Sequence, residues 1–150
     1  MKPTIKQALT KMFALTLCLT VFSFTTKLGL DSYEIYLNNK LILKQSVNQP
    51  LNLRVLQLGQ TNDSDQLRII YKHCTLEGAG TNRTIALKDE KGNTLKKWTF
   101  TNASGSDLSM EIPVKELLQL EKNNAGHELS LQYTARELPK GETLAFLRVK

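Results

Sequence analysis

Arg83-Thr84-Ile85-Ala86-Leu87-Lys88-Asp89-Glu90-Lys91-Gly92-Asn93-Thr94-Leu95-Lys96-Lys97-Trp98-Thr99-Phe100 is the stretch whose reading decides the fold. Two short segments, 83–89 and 94–100, carry their apolar residues at strand rather than helix spacing and flank a connection that ends in glycine. Period two belongs to a strand with one buried face, and a three-residue loop with glycine where φ must be positive joins antiparallel neighbours. The stretch therefore predicts a hairpin in which Asp89 faces Asn93, Leu87 faces Leu95, Ala86 faces Lys96 and Thr84 faces Trp98.

The same rhythm runs outward in both directions. Strands are expected at 33–37, 40–47, 51–58 and 66–73 before the hairpin and at 108–112, 128–136 and 143–149 after it, separated by polar or glycine-containing breaks. One segment departs from the pattern. Between Pro113 and Lys122 the apolar residues fall at 114, 117, 118 and 120, with proline at the first turn and Gly126 past the end, so a short helix over 114–122 is expected to cross between two sheets. The whole predicts an all-β antiparallel sandwich of about 8–9 strands. At the first hairpin two signals compete. Asn38-Asn39 suits a two-residue turn, whereas gathering Tyr33, Ile35, Leu37, Leu41 and Leu43 on one face needs an odd-numbered loop, and the apolar register is given precedence.

With 150 residues, 41% of them hydrophobic and 23% charged, the chain has the composition of one globular domain, which excludes disorder, collagen-like repeats and a multi-domain enzyme. Its beginning reads as an address. Lys2, Lys6 and Lys11 precede the uncharged run 12–24, too short to span a bilayer as a helix and the right length for a secretory signal. Residues 1–26 are expected to be a signal peptide and 27–150 a single domain, periplasmic or secreted. No Ala-x-Ala cleavage site is present, so membrane contact is expected only through this segment where it stays uncleaved. Cys18 sits inside the apolar run behind Leu17, which does not suit lipid attachment. About half of the formal charge of +6 belongs to the signal lysines. The remaining Lys and Arg are interleaved with acids, and a nucleic-acid partner is not expected.

Candidate sites are few. In the expected register Trp98 points away from Leu87 and Leu95, beside Thr84, Lys88 and Lys96, and makes an aromatic platform on which a sugar ring could stack. The competing geometry is a bulge that turns Trp98 inward with Phe100. Cys74 is the only cysteine beyond the signal, so no disulfide closes within the domain, and a buried, inert thiol is expected. His73, Cys74 and Glu77 are metal-ligand types, but neighbours on a strand point to opposite faces, and no metal is expected. Asn62-Asp63-Ser64-Asp65 lacks the glycine and glutamate of a calcium loop and reads as a turn. The glycines of Glu77-Gly78-Ala79-Gly80 precede a strand rather than a helix, which leaves no phosphate cradle, with Arg83 the one cation there able to meet an anion. Neither His73 nor His127 lies in a nucleophile or metalloprotease motif, so no catalysis and no cofactor are expected.

The closing run, Leu129-Ser130-Leu131-Gln132-Tyr133-Thr134-Ala135, then Leu138-Pro139-Lys140-Gly141-Glu142, then Leu144-Ala145-Phe146-Leu147-Arg148-Val149, is similar to the last two strands of small immunoglobulin-like domains in exported bacterial proteins. The resemblance implies an immunoglobulin-like sandwich and an exported location, and it transfers no functional residue. The expectation is a non-enzymatic exported protein that binds a protein or cell-envelope partner through its loops or a free sheet edge. The alternative is a carbohydrate-binding module built on Trp98 with Lys96, Lys88 and Thr84.

Overall fold

Burial alternates along β-strands 32–37, 66–72, 109–113 and 130–135, and the chain assembles into two sheets. The structure, a computed structural model, describes residues 29–59, 61–74, 80–102 and 108–148. The expected signal 1–26 and Glu77-Gly78-Ala79 of the glycine loop lie outside the described residues. The elements are β1 (Ser32–Leu37), β2 (Lys40–Ser46), β3 (Val55–Gln57), β4 (Gln66–Lys72), β5 (Thr84–Lys88), β6 (Thr94–Thr99), β7 (Ser109–Pro113), α1 (Val114–Asn123), β8 (Ser130–Ala135) and β9 (Leu138–Arg148). One sheet has the order β2-β1-β4-β7 and the other β3-β9-β8-β5-β6, and the two pack together as an all-β sandwich. The helix falls where the apolar spacing predicts it and connects β7 of one sheet to β8 of the other.

The inner face of the first sheet carries Tyr33, Ile35, Leu67, Ile69 and Tyr71, which meet Ile85, Leu87, Leu131 and Tyr133 of the second. Val114 and Leu117 of α1 are buried with them. Each fully buried aliphatic or aromatic side chain contributes about 1.5–3 kcal/mol, so a core of this extent holds the domain without a disulfide.

Three expectations need correction. The sandwich is not wholly antiparallel, because β3 runs parallel to β9, Val55 facing Phe146. β3 is also far shorter than the expected 51–58, since Pro50 leads into a 3-10 turn at Leu51–Leu53 that uses up the first half of the segment. β9 begins at Leu138 rather than 143, running through Pro139 and Gly141 with register shifts against β8.

At the first hairpin the turn dipeptide prevails and a bulge recovers the core. Leu37 pairs with Lys40 around Asn38-Asn39, with Asn38 at φ 54°, which asparagine tolerates better than most residues. A register shift then leaves Ile42 unmatched and returns Leu43 to the position opposite Ile35. Leu41 is the residue the bulge does not rescue. It faces Tyr36 on the outer side of the sheet and is exposed. The second hairpin deviates in the same manner. Asp89 does face Asn93 across the loop, but a shift between Leu87 and Lys88 skips Leu95, so Leu87 faces Lys96 and Ile85 faces Trp98.

Gly141 shows how tightly β9 is laid against β8. It sits at φ +74°, and a Cβ there would lie 2.9 Å from the carbonyl oxygen of Tyr133 and 2.8 Å from Cγ2 of Thr134. Gly141→Ala is expected to cost about 2 kcal/mol or more, from left-handed strain plus a backbone clash, and to lower the thermal midpoint by several degrees. A midpoint within one degree of the parent protein would contradict this packing.

Candidate functional site

The corrected register divides the four residues expected at the sugar platform. Trp98 and Lys96 fall on the inner side of β6, opposite Ile85 and Leu87. The Trp98 ring is half-buried against the core, and its Nε1 donates to Glu116 Oε2 of α1 at 3.0 Å. The Lys96 ammonium lies 3.4 Å from the same carboxylate oxygen. Thr84 and Lys88 face the other way. Thr84 is buried and shares a hydrogen bond with the Thr134 hydroxyl, while Lys88 lines an open groove over the second sheet. Trp98 therefore serves as a clasp between β6 and α1.

His73 is enclosed between the sheets, its side chain 4% exposed. Its Nδ1 lies 3.3 Å from Asp31 Oδ2, and its Nε2 lies 3.0 Å from the Tyr133 hydroxyl in the opposite sheet. Tyr71 donates to Asp31 Oδ2 at 3.0 Å, and the Cys74 amide donates to Asp31 Oδ1 at 2.8 Å. The rings of Tyr71 and Tyr133 stack with centroids 4.1 Å apart. Gly80 completes the enclosure, because a Cβ there would lie 2.8 Å from His73 Nε2. Both imidazole nitrogens are engaged, which suits a tie between sheets better than proton transfer to a substrate. Cys74 corrects an expectation, since it is exposed rather than buried. Arg83 is also displaced from its expected role. It is buried, and it donates to the carbonyls of Leu108 at 2.8 Å and Thr101 at 2.9 Å, so the guanidinium holds a loop instead of facing an anion.

A sandwich of this kind has four sheet edges, and they differ. β3 is three residues long, β6 presents Lys96 and Lys97, and β7 ends in Pro113. Short length, lysine and proline are the devices that discourage strand addition. β2 is the longest of the four, with Leu41, Ile42 and Leu43 at its centre, and no strand among the described residues pairs with its outer side. Apolar exposure gathers in the stretch of chain that contains this edge. The exposed large aliphatics among the described residues are Leu30 at 50%, Leu41 at 45%, Leu51 at 49% and Leu53 at 54%, all within one segment. Leu53 abuts β2, its carbonyl accepting from Gln45 Nε2 at 3.5 Å.

No protein family, curated protein or solved structure matches the chain. The site therefore has to be argued from its own residues. On the outer face beside β2, the Arg68 guanidinium lies 4.7 Å over the ring of Tyr36, and its Nε is buried without a hydrogen-bond partner among the described residues. Glu34 accepts from the Tyr36 hydroxyl at 2.9 Å and pairs with Lys44 at 2.9 Å and Lys72 at 3.5 Å. The Lys44 contact, then the Tyr36 hydroxyl, hold its carboxyl below the usual glutamate range. Tyrosine and arginine beside an exposed leucine are the residue types that dominate protein interfaces. Sequence reasoning missed this face because Leu41 was assigned to the core. Accepting the Asn38-Asn39 turn would have placed it outside.

No helix among the described residues is long and apolar enough to cross a membrane. Among the described residues, no group of three or more His, Cys, Asp and Glu side chains is placed to hold a metal ion.

Proposed function

We propose that the protein is an exported, non-catalytic binding domain that takes an extended segment of a partner protein along the free edge of β2. The single observation that carries this reading is the exposed Leu41 on β2, the longest of the four edges, with the exposed Leu53 abutting the same strand. A partner strand gains main-chain hydrogen bonds from the edge and places alternate side chains against Leu41 and the Tyr36–Arg68 stack. Lys44, Lys72 and Arg68 outnumber Glu34 and Glu111 on the outer face, which favours an aliphatic segment carrying acidic residues. The sandwich is read as immunoglobulin-like on the two-sheet architecture and the helical crossover from β7 to β8, and the signal-like residues 1–26 support a partner in the cell envelope or outside the cell.

A photo-crosslinking side chain at position 41, compared with one at position 97 on the lysine-bearing β6 edge, tests the reading in intact cells. Adducts with an envelope or secreted protein are expected at 41 and not at 97. Equal yields at the two positions, or none at 41, would sink it. Leu53→Asp is expected to reduce the adduct at 41 while leaving the thermal midpoint unchanged, because Leu53 is exposed and contributes little to the core.

A further inference from the structure

The opposite side of the molecule holds a groove of about 300 Å³ over the outer face of β5, β8 and β9, at the lower limit of the size that receives small ligands. A bulge opens it. Gln132 faces Thr143 and Leu131 faces Ala145, which leaves Leu144 unmatched. Leu144 and Ala145 are both buried in the core, so Thr143 and Phe146 both reach the outer side with a gap of two residues between them. The row Lys88, Ser130 and Phe146 lies across three strands, and Gln132 and Thr143 make the next row. The hairpin tip at Asp89 and Glu90 and the side chain of Glu128 form the wall.

The distribution of commitments within the groove points to its ligand. Asp89 is spent on its own loop, accepting from the amides of Lys91 and Asn93 and the side chain of Asn93, and Glu90 is paired with His127 Nδ1 at 2.7 Å. Among the described residues Gln132 makes only one long contact, from Nε2 to the Lys140 carbonyl at 3.5 Å. The side chains of Lys88, Glu128, Ser130 and Thr143 have no hydrogen-bond or ion-pair partner among the described residues. Asp89, Glu90 and Glu128 outnumber Lys88 in the lining, which disfavours an anionic ligand. Two hydroxyls, an amide and a carboxylate that can accept from neighbouring hydroxyls complement a polyol, and the Phe146 ring supplies an apolar surface for the C–H face of a pyranose.

We propose that this groove binds a neutral sugar residue, with Phe146 under the ring and Glu128, Gln132, Ser130, Thr143 and Lys88 around its hydroxyls. The site is separate from β2 and does not depend on the edge having a partner. It also replaces Trp98 as the place where a saccharide would be held, since the Trp98 indole is occupied by Glu116.

The test is a two-dimensional amide NMR titration of the folded domain with glucose, galactose and N-acetylglucosamine as separate probes. Saturable shifts confined to residues 88, 128–132 and 143–146 are expected with at least one of them. Glu128→Gln, an exposed and conservative change, is expected to weaken that binding about tenfold by removing a charged acceptor. Trp98→Phe is expected to leave it unchanged. The proposal is overturned if none of the three sugars shifts these amides, if the shifts gather around Trp98 and Lys96 instead, or if Glu128→Gln binds as tightly as the parent protein. None of these outcomes bears on crosslinking at position 41.

Discussion

Replacing Arg54 with alanine is expected to lower the unfolding free energy by about 3–5 kcal/mol, the range for breaking a buried charged network by removing one partner. Arg54 is 2% exposed and has its whole donor fork engaged. Nη1 donates to the Thr143 carbonyl at 2.5 Å and pairs with the Glu142 carboxylate, Nη2 donates to the carbonyls of Val47 at 2.6 Å and Gln49 at 2.9 Å, and Nε also reaches Gln49 at 3.2 Å. Alanine would leave three carbonyls and a partly enclosed carboxylate without their donor. Arg54→Lys should fall between, because a single ammonium cannot serve carbonyls on two sides as a planar fork does. Urea unfolding monitored by circular dichroism measures both variants. A loss below about 1 kcal/mol for Arg54→Ala would mean that the 47–54 segment is held by other contacts.

Raising the pH through the tyrosine range is expected to unfold the domain in a single transition. Burial pushes the Tyr33 hydroxyl up to about 12, against a smaller opposing pull from Arg54. Tyr71 and Tyr133 are pushed higher still, again chiefly by burial, with the hydrogen bond to Asp31 adding to the effect at Tyr71. The unfolded chain begins to lose these protons near pH 10 while the folded one keeps them. The folded state then binds more protons, so stability is complete below pH 10 and falls as pH rises from there. Tyr33 alone accounts for about 2 kcal/mol of that fall by pH 12. Tyrosinate absorbance should therefore rise together with the loss of the β-sheet signal. Ordinary titration of three or four tyrosines near pH 10 with the sheet intact would show that the rings are accessible and that the enclosure of His73 is wrong.

The sandwich was legible because burial imposes period two on strands, and that period survives in the order of apolar residues from Tyr33 to Leu147. What could not be read were the bulges. A bulge adds one residue to one strand without changing the composition around it, yet it reverses the facing of everything beyond. Leu95 and Ile42 are apolar residues that the register skips: the first shift carried Trp98 to the inner side, and the second returned Leu43 to the core after the two-residue turn had put Leu41 outside. The groove was partly legible, since Lys88 was named as a site residue, but its partners on β8 and β9 depend on the extra residue at Leu144. Arg54 gave no local signal. Its role follows from β9 reaching back across the chain to cover it.

That return of the last strand to the third sets an order of assembly. β1, β2, β4 and β7 of the first sheet are all complete by Pro113, whereas β3 finds its only sheet partner among the described residues in a strand that starts at Leu138. A chain still emerging at its C-terminus can zip one sheet, but it holds Val55 and Leu56 unpaired and a guanidinium waiting for Glu142 and Thr143. Contacts of such sequence separation form late. A chain cut short before its last strand would carry that unfinished edge permanently, and it is expected to be cleaved by a protease faster than the full chain.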